Sequence, residues 1–239
     1  MIPNGATFGG GAVGVSKHTY TDFNMVPKSK ITFNPPAVKT EYIDVAGVNG
    51  RLDYTEVLTG GVTYDNRVGT IEFVVLIPSD YPTVYSQLLA FFHGKNIRVI
   101  LDDDPNYYYQ GRFSVNQWKS MEGASTIAID YNLDPYKYSI DRTGSIDWLW
   151  NDLFDNTIYY GTFNVKGTKA RNLINPSSLA VTPRFVCSSL MLIDFNNVTY
   201  TLLEGETDFP GFTLAHGNNN MVFRGNGTVL VDYIMGALL

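Results

Sequence analysis

IRVILDDDPNYYYQGRFSVN, residues Ile97 to Asn116, has the alternation of a β-hairpin. Ile97, Val99 and Leu101 alternate with Arg98 and Ile100, a period of two that sends successive side chains to opposite faces of a sheet. Asp102 to Asn106 supplies a polar turn, and Tyr107 to Asn116 reads as the returning strand. Working outward, Ile127, Ile129 and Tyr131 alternate in the same way with Thr126, Ala128 and Asp130. Ile71 to Ile77 is a nearly continuous apolar run, the pattern of a strand covered on both faces. With aromatic residues at 14%, including 16 Tyr and 14 Phe, and turn residues at short intervals, the chain is expected to be mainly β.

One segment breaks the pattern. Val84, Leu88, Phe91 and Phe92 recur at helical spacing, Ser79 and Asp80 can cap, Pro82 suits a first turn and Gly94 a left-handed stop. The spacing predicts a helix over about Asp80 to His93, its apolar stripe laid on a sheet. After Asp141-Arg142-Thr143-Gly144-Ser145 the pattern changes again, with Trp148, Leu149, Trp150, Leu153 and Phe154 preceding new strand-like runs. A boundary near residue 142 divides the chain into 1–141 and 142–239. In the second part, short strands are expected at 164–169, 184–188, 191–195, 199–203, 221–224 and 228–234, which suits a β-sandwich. Gly225-Asn226-Gly227 reads as the turn between the last two.

Composition narrows the function classes. Charged residues make up 17% of the 239, against about 25% in an average protein. Such a surface suits a subunit that hides area against neighbours. Seventeen cations against 23 acids leave −6 and a pI near 5.0, without the clustered Lys and Arg that phosphate neutralisation requires. Nucleic-acid binding is disfavoured. The single Cys187, between apolar neighbours, forms no intramolecular disulfide and reads as a buried, inert thiol. MIPNGATFGGGAVGV lacks a basic start and a continuous apolar core, so no signal peptide is expected. The apolar run Phe73 to Ile77 is far short of the roughly 20 residues of a membrane helix. A soluble protein made in the cytoplasm, without membrane insertion, is expected.

No candidate chemistry survives its context. Gly9, Gly11 and Gly14 satisfy the dinucleotide spacing, but only eight residues precede them and no helix pattern follows, and a flexible N-terminal loop is expected. Asp102-Asp103-Asp104 lacks the glycine and closing glutamate of a Ca²⁺ loop and reads as a solvated hairpin tip. His18, His93 and His216 show no zinc spacing and are read as structural. With neither a nucleophile elbow nor a phosphate loop, no catalytic residue, cofactor or metal is expected. Trp118, Trp148 and Trp150 suit core or interface packing better than a sugar-stacking platform. The Asn197 and Asn226 glycosylation acceptors carry no weight without a secretory signal.

EYIDVAGVNGRLDYTEVLTGGVTYDNR, Glu41 to Arg67, resembles the N-terminal signature of the distal tail proteins of siphophages. That signature has a Pro-Gly-Arg-Asn-Gly-like turn followed by Leu-Asp, Leu-Thr-Gly and Tyr-x-Asn-Arg. Here Ala46 and Val48 replace Pro and Arg, while Gly47, Asn49 and Gly50 keep the turn. The likeness continues through FFHGKNIRVILDDDPNYYYQGRF, Phe91 to Phe113, and DPYKY, Asp134 to Tyr138. DWLWNDLFD at 147–155 and FTLAHGNNNMVFRGNGTVLVDYIMGAL at 212–238 resemble the start and closing strands of the second domain.

The resemblance implies an N-terminal belt domain, a β-sandwich with one helix and a hairpin, that closes into a homo-hexameric ring. It also implies a C-terminal galectin-like β-sandwich. Such a ring is a structural hub in the virion tail tip or baseplate. It joins the tail tube protein to the tail-tip and receptor-binding proteins and lets DNA pass without binding it. The signature positions carried over are Gly47, Asn49, Gly50, Arg67, Asp104, Pro105, Gly111, Pro135 and Tyr136, with structural roles rather than a binding site. Six copies at −6 each carry −36, so ring contacts would rest on apolar packing and backbone bonds rather than charge. Three other readings stay open: the same hub in a phage-tail-like bacteriocin, a module stacking cell-wall glycan on Trp148, Trp150 or Tyr233, and a glycoside hydrolase using Asp102 or Asp104.

Overall fold

Strand pairing dominates the chain, as the alternation requires, and the protein is mainly β. The computed structural model describes residues 4–11, 14–116, 119–121, 124–143, 157–158 and 161–238. They gather into two compact units that meet in sequence at Lys137 and Tyr138.

The first unit contains β1 (Ala6–Gly9), β2 (Lys17–His18), α1 (Thr19–Phe23), β3 (Met25–Pro27), β4 (Tyr42–Asp44), β5 (Arg51–Asp53), β6 (Arg67–Val75), α2 (Tyr81–Phe92), β7 (Asn96–Leu101), β8 (Asp104–Val115), β9 (Lys119–Met121) and β10 (Ala124–Leu133). Its main sheet runs β2-β1-β7-β8-β10-β6-β3, with every pair antiparallel. The chain therefore starts as a strand that reaches Gly9, while Gly11 and Gly14 lie beyond it outside any strand. Thr7 and Phe8 pair with Ile100 and Val99 on one side and with His18 and Lys17 on the other, and the Phe8 ring is buried in the core. Gly9 is required because a side chain there would meet the backbone of Ser16.

The β7–β8 hairpin closes more tightly than its sequence suggests. Leu101 faces Asp104, so only Asp102 and Asp103 form the turn, while Pro105 and Asn106 belong to β8, across a register shift between Val99 and Leu101. β6 also departs from expectation. Ile71, Phe73 and Val75 are buried but Glu72 is exposed, so one face is covered rather than two, and Leu76 and Ile77 lie outside the strand and exposed.

The helix α2 buries Tyr81, Val84, Leu88 and Phe92 as its spacing demands, and Phe92 stacks on Phe8 at 5.2 Å between centroids. Asp80 occupies the N-cap but its carboxylate makes no capping bond. The other end is held by Lys95, whose ammonium donates to the carbonyls of Phe91 at 2.9 Å and Ala90 at 3.1 Å, while Gly94 takes φ +73.

β11 (Lys137–Ser139) leads into the second unit, which holds β12 (Thr157–Ile158), β13 (Gly161–Asn175), β14 (Arg184–Cys187), β15 (Met191–Phe195), β16 (Val198–Leu202), β17 (Gly205–Asp208), β18 (Gly217–Asp232) and β19 (Gly236–Ala237). Its framework is the ladder between β13 and β18, unbroken from Gly161↔Val231 to Asn175↔Gly217. Gly225-Asn226-Gly227 is consequently not a turn. Those residues pair with Gly167, Lys166 and Val165 inside one long strand, which holds β15 along one part and β14 along another. Gly225 and Gly227 adopt φ +145 and +151, and any side chain at either would overlap Met191. Around this bent strand Phe185, Phe195, Phe212 and Phe223 form one core. Tyr233 lies in that core with no exposed surface, which removes it as a sugar-stacking residue. Trp118, Trp148 and Trp150 lie outside the described residues.

Gly111 faces Leu133 where β8 meets β10, and a side chain there would overlap the Asn132 carbonyl and sit 2.6 Å from the Leu133 Cα. Gly111→Ala is expected to lower stability by about 2–3 kcal/mol through this overpacking, read as a lower urea midpoint at unchanged m-value.

Candidate assembly surface

The segment between Val38 and Tyr64 leaves the core and returns to it. A bridge joins Val38 to Tyr64, and the Lys39 N–H donates to the Thr63 carbonyl at 2.9 Å while the Asp65 N–H donates to Ala37 at 2.8 Å. Beyond this neck, β4 and β5 form a separate two-stranded sheet, with Ile43 opposite Leu52 on one face. On the other face Asp44 pairs with Arg51 at 3.1 Å. Gly47 and Gly50 both take φ +83 in the connecting turn, a conformation open to glycine at little cost, and Asn49 lies exposed between them. The returning chain is tied back when Tyr54 N–H donates to the Glu41 carbonyl at 2.8 Å and Glu41 N–H to the Thr55 hydroxyl at 3.1 Å. The hydroxyl and N–H of Thr55 hold the Asp53 carboxyl below its ordinary pKa.

This arm satisfies its backbone but not its apolar side chains. Ten of the eighteen large apolar residues left exposed among the described residues fall between Val38 and Val62, including Ile43, Leu52, Val57 and Leu58, the last 96% exposed. Two three-residue strands are marginal on their own in water, and here they carry uncovered apolar side chains.

Apart from the turn residues Gly47, Asn49 and Gly50, the signature positions lie at the root of the arm and below it. Arg67, 1% exposed, donates from Nε to the Pro135 carbonyl at 2.9 Å and from Nη1 to the Asn34 carbonyl at 3.1 Å. Its guanidinium lies 5.8 Å from the centre of the Tyr109 ring, and burial pulls its pKa below the ordinary value. Tyr136 meets Tyr64 edge-on, and Asp104 accepts from the mostly buried Lys137 at 2.6 Å. Thus Arg67 and Tyr64, Asp104 and Gly111, and the segment from Pro135 to Lys137 converge from three separated stretches of sequence. Pro105 is exposed on β8 and joins none of these contacts.

Asp102 and Asp103 form the exposed β7–β8 turn and Asp104 opens β8, and all three carboxylates are engaged. Asp102 accepts from Gly5 N–H at 2.8 Å and pairs with His18 Nε2 at 3.1 Å, Asp103 pairs with Lys30 at 3.1 Å and bonds Asn4, and Asp104 goes to Lys137. Each carboxylate has its own partner, and no metal-ligand cluster occurs among the described residues. The histidines also have structural partners. His18 Nδ1 caps α1 by accepting from Tyr20 and Thr21 N–H, His93 Nδ1 accepts from Val115 N–H at 3.0 Å, and His216 Nδ1 donates to the Ser177 carbonyl at 2.8 Å. Cys187 is buried, and burial pushes its thiol up to about 11. Among the described residues no helix is long and apolar enough to cross a membrane.

The sequence matches no protein-family model and no curated protein. Among solved structures, SPP1 Dit aligns over 98% of this chain and 98% of its own, with a TM-score of 0.61 at 11% identity. The fold is that of SPP1 Dit. That protein is described as a paradigm of the hub adsorption apparatus in phages infecting Gram-positive bacteria. Since the alignment spans both compact units, Dit and this chain share their whole architecture rather than one module. Sequence reasoning marked the turn glycines and Arg67 but not the apolar character of the arm, although Val45, Val48, Val57, Leu58 and Val62 stand among turn residues where a solvated loop would be polar.

Two outcomes are expected. Arg67→Met leaves the Pro135 and Asn34 carbonyls without their guanidinium donor and should destabilise the chain by about 2–3 kcal/mol. Arg67→Lys should not restore it, because one ammonium does not reproduce the fork of a guanidinium, and denaturant unfolding of both variants checks this. The Cys187 thiol should resist a soluble disulfide reagent at pH 8 in the native protein and react fully once unfolded in guanidinium, since burial reduces its thiolate fraction by about a hundredfold.

Proposed function

We infer that the protein is a structural hub of a phage tail tip, not an enzyme, and that it acts as a homo-hexameric ring. The observation that carries this reading is the self-bonded arm with an uncovered apolar face, on a chain that shares the architecture of Dit from end to end. In the proposed ring, residues 1–141 supply the belt, and the arm of one copy lies on the main sheet unit of the next. This head-to-tail contact closes when its rotation suits six copies. The segment 142–239 forms the outward domain. The ring would seat on the tail tube protein, carry the tail-tip and receptor-binding proteins, and leave a channel for DNA, which a net acidic chain does not bind. Its place is the virion, after synthesis in the bacterial cytoplasm.

Apolar contact explains how subunits at −6 each would associate. Covering Ile43, Leu52, Val57 and Leu58 supplies the burial that the short β4–β5 ladder lacks. Light scattering across a concentration series should find a species near six times the 26.6 kDa chain, about 160 kDa, the mass of a closed ring. Leu58→Asp, at a nearly fully exposed site, should leave the subunit folded and drive the mass to that of the monomer. A wild-type chain monomeric at every concentration, or a Leu58→Asp ring as stable as wild type, would count against this role for the arm.

A further inference from the structure

In the second unit, β15 ends at Phe195 while its neighbours continue. Asp194 is the last β15 residue paired with β18, opposite Val222, whereas β13 and β18 run on through Asn172↔Asn220 to Asn175↔Gly217. The chain turns away at Asn196 and Asn197, both in the left-handed conformation at φ +49 and +63. A notch opens where β15 departs, a cleft of about 550 Å³, within the size range of small-molecule sites.

The lining of this cleft is unusually rich in hydrogen-bonding capacity that the protein does not use. The side-chain amides of Asn196, Asn197 and Asn220 bond to no other described residue. Asn172 donates from Nδ2 to Asn218 at 2.9 Å, but its Oδ1 is buried without a partner. Asp194 receives both its bonds on Oδ1, from the Thr199 hydroxyl at 2.6 Å and Arg224 at 2.6 Å, so Oδ2 is left to the cleft. A buried acceptor without a donor costs free energy that a bound donor would recover.

These groups select a ligand class. An amide both donates and accepts, which matches a hydroxyl, and four amides on one cleft match a molecule carrying several hydroxyls. Asp194 is already paired with Arg224 at 2.6 Å and Arg171 is only 2% exposed, so neither offers an open charge and an ionic ligand gains little. Phe195 is almost fully buried and offers no face for stacking, so recognition falls on hydrogen bonds. The geometry points to a binding site for a neutral saccharide in the notch formed by Asn172, Asn220 and the Asn196-Asn197 turn. It is independent of the ring reading and does not use Trp148, Trp150 or Tyr233.

The test uses the full chain and ligand-observed NMR, with maltotriose and tri-N-acetylchitotriose as neutral probes and inorganic phosphate as the charged control. Saturable binding of at least one trisaccharide is expected, with phosphate failing to compete. Asn220→Ala, at an exposed position, and Asn197→Gly, which keeps the left-handed backbone, should each weaken it about fivefold, the worth of one hydrogen bond. Unchanged unfolding midpoints show that the variants fold, and unchanged mass in light scattering separates this site from the assembly surface. Failure of both trisaccharides to saturate, competition by phosphate, or affinity indifferent to both substitutions would overturn the assignment.

Discussion

The buried guanidinium of Arg67 fixes the point from which the arm departs. It stands at the first residue of β6, three positions beyond the neck at Tyr64, and binds the carbonyl of Asn34 on the outgoing chain and that of Pro135 after β10. A charge so deeply placed must have its donors satisfied, and main-chain carbonyls satisfy them without a second ion to desolvate. Asn66 adds a bond from its amide to Asn132 at 2.7 Å. The arm is therefore rigidly rooted although it has almost no core of its own, and a surface presented in a fixed direction can be matched by a repeating neighbour.

How much of this was legible varies with the range of the interaction. The helix was readable because Val84, Leu88 and Phe92 repeat at its own period, and β7 because Ile97, Val99 and Leu101 alternate locally. Register was not. Nothing local says that Pro105 and Asn106 continue β8, because the shift opposite Val99 and Leu101 is imposed by the partner strand. Gly225-Asn226-Gly227 has turn composition, and only the fifteen-residue partner β13 makes it the bend of a continuous strand. Gly9 similarly looks like loop until the backbone of Ser16 is placed against it. As for the saccharide cleft, Asn172, Asn196 and Asn220 are spread over nearly fifty residues, and no spacing rule could have joined them before the strands were paired.

Two ways of using polar groups coexist in the chain. Around the first unit's hairpin turn every aspartate is paired with a different cation or amide, and three histidines fix main-chain geometry rather than perform chemistry. In the second unit Asp232, nearly fully buried, is shared by Arg142 at 2.5 Å and Arg184 at 2.9 Å. These groups hold segments in place. The notch beside β15 differs because its amides remain uncommitted, and the apolar arm differs because its burial remains incomplete. Function is sought where the fold leaves capacity unspent.

The ladder between β13 and β18 has a polarity of its own. The chain enters at Gly161 and leaves at Val231, which are partners at one end, while Asn175 and Gly217 mark the other. Asn172 and Asn220 lie eleven rungs from the entry, yet the neighbouring Arg171 reaches the ring of Phe163, two residues from that entry, at 5.4 Å. Ile158, only three residues before Gly161, pairs beside Leu173, so the ladder bends back until its two ends approach. The second unit is built like a closing palm, in which one pair of strands supplies both walls of the core and the rings of Phe163 and Phe223, six rungs apart on the ladder, meet across it at 5.0 Å.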